Sequence, residues 1–521
     1  MSAELERLEE IIDASGIAQR IEARLPVGVR PRQLRVRTLL VGAVLVAADH
    51  RPMFVRNIHR ALLSLPEPDR WRLGVIAQWK QGPHELTYRQ LERTFGLVAD
   101  KLAKDKPDGS PSDALSQVLD QLLEGSVTVL GEPRSSSYAV DWTDLETFSC
   151  PPPTKRGERE HAEPVAEDAE QAAPGDQDKR CADPEAAWGH RRGDAPGQKD
   201  EAFFGYYLQA ATIVKDEHGP EVPELVRRIH IASCDHDPPP AFVPVLERMA
   251  ASGIKLSDVL ADSGYSYRQA EHWALPLRRL GAQLIHDLHP NDQGAQGTHH
   301  GAICHNGNLY CPATPTTLLE LSPLPRNATA ERTHAHDKLC QQLSRYKLSP
   351  ITAPDQDGYQ RVCCPAAQGK LRCPLRPASI TLPHDRPTIL TPPANPPTCC
   401  QQQTITVPPA VNAKTAQKHD YPSPEHRRSY ARRTAAERTY STVKDPATND
   451  LTRGWCRITG LTGIALLTAT VFIARNLRIA DAFATRQADN QRRAANGLPP
   501  KRRQRRRRTL DDLLSTANAP P

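Results

Sequence analysis

Aromatic residues are scarce in this chain. Phe, Trp and Tyr make up 5% of 521 residues, and the whole hydrophobic set reaches only 38%. A share that low excludes dense packing throughout, so part of the chain is expected to lie outside any core. Net charge is slight as well, +6 over the full length, and its distribution says more than its total. A KRRQRRRR run occupies positions 501–508, and such asymmetry points to a polyanionic partner. The start, MSAELERLEEIIDASG, lacks the basic-then-apolar order of a secretory leader. No apolar run matches the about 20 residues of a membrane span. The nearest approach, ITGLTGIALLTATVFIARNL at 458–477, is apolar only from Leu461 to Ala474 and carries several Thr. It is expected to be a buried helix, with no membrane partner. The 12 Cys include no C-x-x-C pair. In a chain read as cytoplasmic they are expected to be thiols or metal ligands, not disulfides.

What is present suggests about two to four domains. Residues 1–130 read as helices. LRVRTLLVGAVLVAADH (34–50) is strongly apolar, and HELTYRQLERTFGLVADKLA (84–103) repeats apolar residues at helical spacing. Thr87 is placed as an N-cap, with Gln90 at the capping-box position. Such helices suit either a DNA-binding helix-turn-helix or a packing and dimerisation region. The segment 131–290 then reads as an α/β unit. Strands are expected at SSSYAVDWTDLETF (135–148), FFGYYLQAATIVK (203–215), LVRRIHIASCDH (225–236), KLSDVLADSGYS (255–266) and AQLIHDLHP (282–290). Helices fall at AFVPVLERMAASG, stopped by Gly253, and at YRQAEHWALPLRRLG. The order β-β-β-α-β-α-β matches a ribonuclease-H-like mixed sheet with flanking helices. A polar stretch at about 151–200 reads as a loop or linker. Residues 291–420 lose periodicity and form a Cys/Pro-rich insertion. Helical pattern returns in 421–488, and 489–521 reads as a basic disordered tail.

Two acids end apolar strands, Asp141 after YAV and Asp262 after DVLA, and Glu437 lies on the helix SPEHRRSYARRTAAERTYSTVKD (423–445). Carboxylates at neighbouring strand ends, completed by a Glu on a helix packed across them, are a donor set for hard divalent ions. Two such ions about 3.5–4 Å apart can serve the attacking and leaving oxygens of phosphodiester chemistry. Asp144, in Asp141-Trp-Thr-Asp144, is the alternative first acid. Plainer roles also fit two of these residues: Asp262 as a turn-former before Gly, and Glu437 as a solvated acid paired with Arg433 at i−4.

Tyr430, Arg433, Glu437 and Lys444 fit Y-x-x-R-x-x-x-E-x-x-x-x-x-x-K at every position, and Asp262-Ser-Gly-Tyr265 fits D-x-G-[FY]. On these motifs the chain resembles the DDE transposases of bacterial insertion sequences that carry a Y-R-E-K signature, over roughly 135–290 and 360–485. The resemblance implies a transposase with Mg²⁺ or Mn²⁺ at Asp141, Asp262 and Glu437. It implies DNA contacts from Tyr430, Arg433 and Lys444, double-stranded DNA (element ends and target) as partner, and a homodimer on paired ends. It further implies a bacterial, nucleoid-associated setting. DPEAAWGHRR (183–192), with Trp188 and His190, resembles a family segment bordering the site. The rival reading is a degenerate or domesticated copy that holds DNA without cutting it.

Within the insertion, Cys311-Pro, Cys364-Pro, Cys373-Pro and Cys399-Cys400 recur among few apolar residues. A structural Zn²⁺ site from Cys311, Cys364, Cys373 and Cys400 (or Cys399) stands beside plain reduced thiols as the alternative.

Overall fold

The computed structural model describes residues 2–26, 32–104, 109–151, 181–191, 201–325 and 327–501. The KRRQRRRR run after Lys501 and most of the 151–200 stretch therefore lie outside the described residues.

The fold is mixed α/β. Its central sheet contains six strands: β1 (Ser137–Glu146), β2 (Ala187–Arg191), β3 (Glu201–Val214), β4 (Val226–Ser233), β5 (Asp258–Ala261) and β6 (Gln283–His286). β1 pairs antiparallel with β3 over ten residues, from Ser137↔Val214 to Glu146↔Gly205. The far side of β3 is shared, β2 taking its start and β4 the remainder, both antiparallel. On the other side of β1 the sheet turns parallel, to β5 and then β6. The crossover from β4 to β5 is helix α1 (Pro238–Ala251), which begins on a run of Pro after Asp237. Proline suits a helix's first turn because its missing N–H is not needed there. Parallel strands are covered on both faces, and all four residues of β5 are buried.

One sheet face is covered by the N-terminal helices together with α4 (Leu461–Ala495) in the largest apolar cluster. The opposite face takes α1, Tyr265, Trp273 and Leu277. Helix α4 is the one described helix long and apolar enough to cross a membrane, and 83% of its apolar window is buried inside this fold. Arg475 and Asn476, buried on this helix, also find internal partners. Arg475, fully buried, donates to the Glu224 carbonyl and the Thr439 hydroxyl, each at 2.8 Å. Asn476 exchanges hydrogen bonds with the backbone of Val226 on β4.

Several sequence expectations hold and several need correction. The Thr87–Gln90 capping box forms, and all 12 Cys are free. The N-terminal region is not all-α: Ile76–Trp79 and Gly82–Glu85 make a hairpin across Lys80-Gln81. Its strands are short and mostly exposed, so they carry no alternating pattern. The helix expected at 267–281 shrinks to a 3₁₀ turn and Ala274–Arg279, because Trp273 takes a non-helical φ of −148°. Helix α4 runs on through Ala495, so the stretch from 489 is helical at its start rather than tail. The DPEAAWGHRR segment supplies β2, an unforeseen edge strand. The insertion is built as well: two three-stranded antiparallel sheets flank a helix at Ala330–Tyr346. Its last residues return to the main sheet, where Lys418 Nζ sits 2.8 Å from Asp258 and the Tyr421 hydroxyl donates to Asp287 at 2.7 Å.

Candidate active site

Asp141 does not end its strand. β1 continues through Glu146, and Asp141 lies in register with Ala210 at the middle of the sheet. Strand alternation puts Ala139 and Asp141 on one face, where Ala139 packs with Leu260, Ile285, Ala435 and Ala436. Those last two alanines belong to α3 (Thr434–Val443), the helix that carries Glu437. Small residues at the crossing let α3 lie close over β1, and the Tyr440 hydroxyl reinforces it by donating to the Asp141 carbonyl at 2.6 Å. Asp262 follows β5 directly and caps the short turn Ser263–Ser266 by accepting the Gly264 N–H at 2.9 Å. Gly264 is required by space: a Cβ there would meet the Trp142 ring at 2.3 Å. Trp142 in turn packs on Tyr265, and Tyr265 on Trp273, with ring centroids 4.8 and 4.5 Å apart.

The three acids meet at one cation. Helix α2 (Pro424–Tyr430) passes through a 3₁₀ turn, Ala431–Arg433, before α3 begins. Arg433 from that turn is 2.9 Å from Asp141, 3.5 Å from Asp262 and 2.8 Å from Glu437. Its neighbour Arg432 instead anchors the turn to the start of β5, 2.8 Å from the buried Asp258. The Asp141 side chain is 13% exposed and that of Arg433 10%, whereas Asp262 and Glu437 are 32% and 47% exposed, so the cluster is dry on one side and open to solvent on the other. Burial, repulsion by Asp262 and repulsion by Glu437 push the Asp141 carboxyl up to about 7, against the pull of Arg433 and the Trp142 N–H. Burial works against the Arg433 charge, yet the surrounding carboxylates hold its pKa above the ordinary arginine value. Tyr430 stacks on His426 with rings 5.6 Å apart and lines the same small cluster.

Lys444 does not join the acids. It pairs with Asp144 at 2.8 Å, and Arg191 of β2 takes the other Asp144 oxygen at 2.9 Å. Asp144 lies three residues from Asp141, hence on the opposite face of β1. Its burial is outweighed by Lys444 and Arg191, which hold its carboxyl below the usual range. Of the two candidates for first acid, Asp141 shares Arg433 with Asp262 and Glu437, while Asp144 is held by Lys444 and Arg191.

Sequence reasoning missed three contributors. Tyr440 sits three residues after Glu437, a helical spacing that could have flagged it. Arg191 had no local signal. Asp183, fully buried, accepts from the Thr147 hydroxyl (2.8 Å), the Tyr206 hydroxyl (2.6 Å) and the Gly460 N–H (3.2 Å), while Glu185 accepts the Leu461 N–H (2.6 Å). The DPEA stretch therefore satisfies the open N–H groups at the start of α4, with carboxylates where a helix dipole favours them.

As a donor set, three carboxylates gathered on one positive group fit a hard divalent cation. Among the described residues no three His, Cys, Asp or Glu side chains are spaced as they stand to hold a metal. Here the guanidinium of Arg433 lies among them in the place of a cation. No protein-family model matches this chain, and neither curated proteins nor solved structures give a match.

Proposed function

We propose that the chain is a DDE transposase whose catalytic domain is ribonuclease-H-like, cutting DNA at the ends of a mobile element and joining those ends to a target. The observation that carries this reading is the convergence of Asp141, Asp262 and Glu437, from a strand centre, a neighbouring strand end and a crossing helix. The sheet order β4-β3-β1-β5-β6, antiparallel on one side of β1 and parallel on the other, is the one expected of a ribonuclease-H-like fold and supports it further. A divalent ion held by the three carboxylates would lower the pKa of water and stabilise the leaving oxygen.

The chain's own residues have definable tasks in such a reaction. Tyr440 and the Ala435–Ala436 contact fix the height of Glu437 over Asp141. The Gly264–Trp142 contact fixes the Asp262 turn. Arg433, which the three acids share, would supply a positive group for a DNA phosphate where a divalent ion takes over the charge of those acids. Lys444 and Arg191 form a second basic pair near the same strand, suited to phosphate contacts that position DNA without reading its sequence. Water attack at a phosphodiester frees a 3′-OH, and that oxygen then attacks a target phosphate, expelling another 3′-oxygen. No side chain becomes covalently attached to DNA.

The test is cleavage of a plasmid carrying the DNA that flanks this gene, with Mg²⁺ or Mn²⁺, comparing the wild type with Asp262→Asn. Metal-dependent cuts at defined ends, absent from the variant, support the proposal. A second reading, a DNA-holding protein that does not cut, draws on the occupation of all three acids by Arg433. Binding of the ends by both proteins with no cleavage under either metal would favour it.

A further inference from the structure

The insertion holds a second group of ligand-type side chains, remote in sequence and close in space. Cys311, Cys364 and Cys373 are 5%, 8% and 6% exposed and share one small core with Tyr310, Leu343 and Leu371. Cys400 borders the adjoining cluster beside Cys399. The thiols are near enough for charge on one to disfavour charge on another: Cys311 is affected by Cys400, Cys364 and Cys373, and Cys373 by Cys364 and Cys400. None is in a disulfide.

Three of these residues stand in Cys-Pro steps. Proline has no N–H, so the first backbone donor after each Cys is two residues on. Ala313 and Leu375 use that donor, directing their N–H groups at the sulfurs of Cys311 and Cys373. The backbone brings the Cys400 segment to the same place: the Cys364 N–H donates to the Gln403 carbonyl at 3.3 Å, and the Arg376 guanidinium donates to the Gln402 carbonyl. Cys399 is 4% exposed and packs with Ile405. Its backbone N–H is tied to the His300 carbonyl at 3.0 Å, and Cys400, the less buried of the two, is taken as the fourth ligand.

We propose that Cys311, Cys364, Cys373 and Cys400 bind one structural zinc ion that ties the two small sheets of the insertion to its helix. Four thiolates and no open position are the donor set of a closed tetrahedral zinc site. As they stand no three of these side chains are spaced to hold an ion, so binding would require the side chains to rotate onto it, with the thiol protons passing to buffer. The small apolar content of the two insertion clusters gives the reason for a metal. A core of that size supplies little stability, and a cross-link among distant segments removes unfolded-state freedom. The same segment delivers Lys418 to Asp258 and Tyr421 to Asp287, so an ordered insertion also steadies the approach to α2.

The test is metal analysis of the full chain, followed by replacement with Co²⁺. About one zinc per chain is expected, with a thiolate-to-cobalt charge-transfer band in the substituted protein. Both should fall several-fold in Cys364→Ser and Cys373→Ser and stay in Cys340→Ser and Cys399→Ser. The cobalt spectrum of the wild type decides the matter even if a variant fails to fold. Wild-type protein from zinc-replete cells with far less than one zinc, and no cobalt–thiolate band, would overturn the proposal. Equal zinc loss in Cys340→Ser would overturn the ligand assignment.

Discussion

Replacing Asp141 by Asn is expected to stabilise the metal-free protein, and more so at high pH than at low pH. In the folded chain burial and the negative neighbours Asp262 and Glu437 raise the Asp141 carboxyl from an ordinary 3.8 to about 7, the balance that remains after Arg433 and the Trp142 N–H have pulled the other way. The sign follows from linkage. A carboxyl raised on folding keeps its proton longer in the native state, so its ionisation costs stability above pH 7, and that cost shrinks as pH falls toward 3.8. At about 1.4 kcal/mol per tenfold the cost is about 4 kcal/mol at pH 8 and about 2 kcal/mol at pH 5. The side chain is only 13% exposed, so the burial contribution, the largest, is little screened, while the repulsion from Asp262 and Glu437, 32% and 47% exposed, is reduced by solvent. Asparagine keeps an acceptor for the Trp142 N–H and leaves Arg433 paired with Glu437. Urea titration in EDTA at the two pH values, read as a midpoint shift at constant slope, should give a gain larger at pH 8 by about 2–3 kcal/mol. Adding Mg²⁺ should then stabilise the wild type and leave the Asn variant nearly unchanged. A variant less stable than wild type at pH 8, or a gain equal at both pH values, would refute the argument that burial and repulsion dominate this carboxyl.

Asp144→Asn, which loosens Lys444 and Arg191 without touching the acid cluster, should lower end cleavage by about tenfold to a hundredfold. Asp141→Asn should abolish it, and equal losses in the two variants would dissolve the distinction. Gly264→Ala should cost about 1–3 kcal/mol by forcing Trp142 aside, seen as a lowered urea midpoint with a changed near-ultraviolet signal. Burial lowers His230 and His286 to about 3 and His426 to about 4, from an ordinary 6.5. They bind protons mainly when unfolded, so stability is full above pH 6.5 and falls below it, by about 2 kcal/mol each at pH 5. That loss exceeds the relief at Asp141. A urea midpoint unchanged between pH 7 and pH 5 would contradict it.

Much of the site was legible because its chemistry is written locally. Asp262 sits where the apolar run Val259–Ala261 breaks into Ser-Gly-Tyr, and the Gly is demanded by the Trp142 ring. Glu437 lies on a helix whose small residues, Ala435 and Ala436, mark the crossing over β1. The main strands were legible from apolar runs bounded by turn residues. What was not legible depends on contacts between distant segments. β2 is a five-residue edge strand whose pairing with β3 is made by the backbone, and its sequence shows no alternation. The small sheets at 291–420 bury too few apolar residues to print a period. Asp141 and Asp144 are both acids near the end of an apolar run, and only strand alternation seen against α3 separates them.

The order of residues was enough to set the inventory: two acids on strands and one on a helix, basic residues on either side of Glu437 in that helix segment, and Cys-Pro steps in a segment poor in apolar residues. It was enough as well to show that Leu461–Ala474 would be buried, though not by what. Folding in three dimensions made the assignments. It brought Arg433, in the 3₁₀ turn at Ala431–Arg433, among the acids, and sent Lys444, just after α3, to Asp144. It wrapped α4 in the N-terminal helices and gave Arg475 and Asn476 internal partners, which no reading of hydropathy can supply. Local pattern fixes which groups a segment offers, whereas the partner each group meets depends on chain contacts hundreds of residues apart.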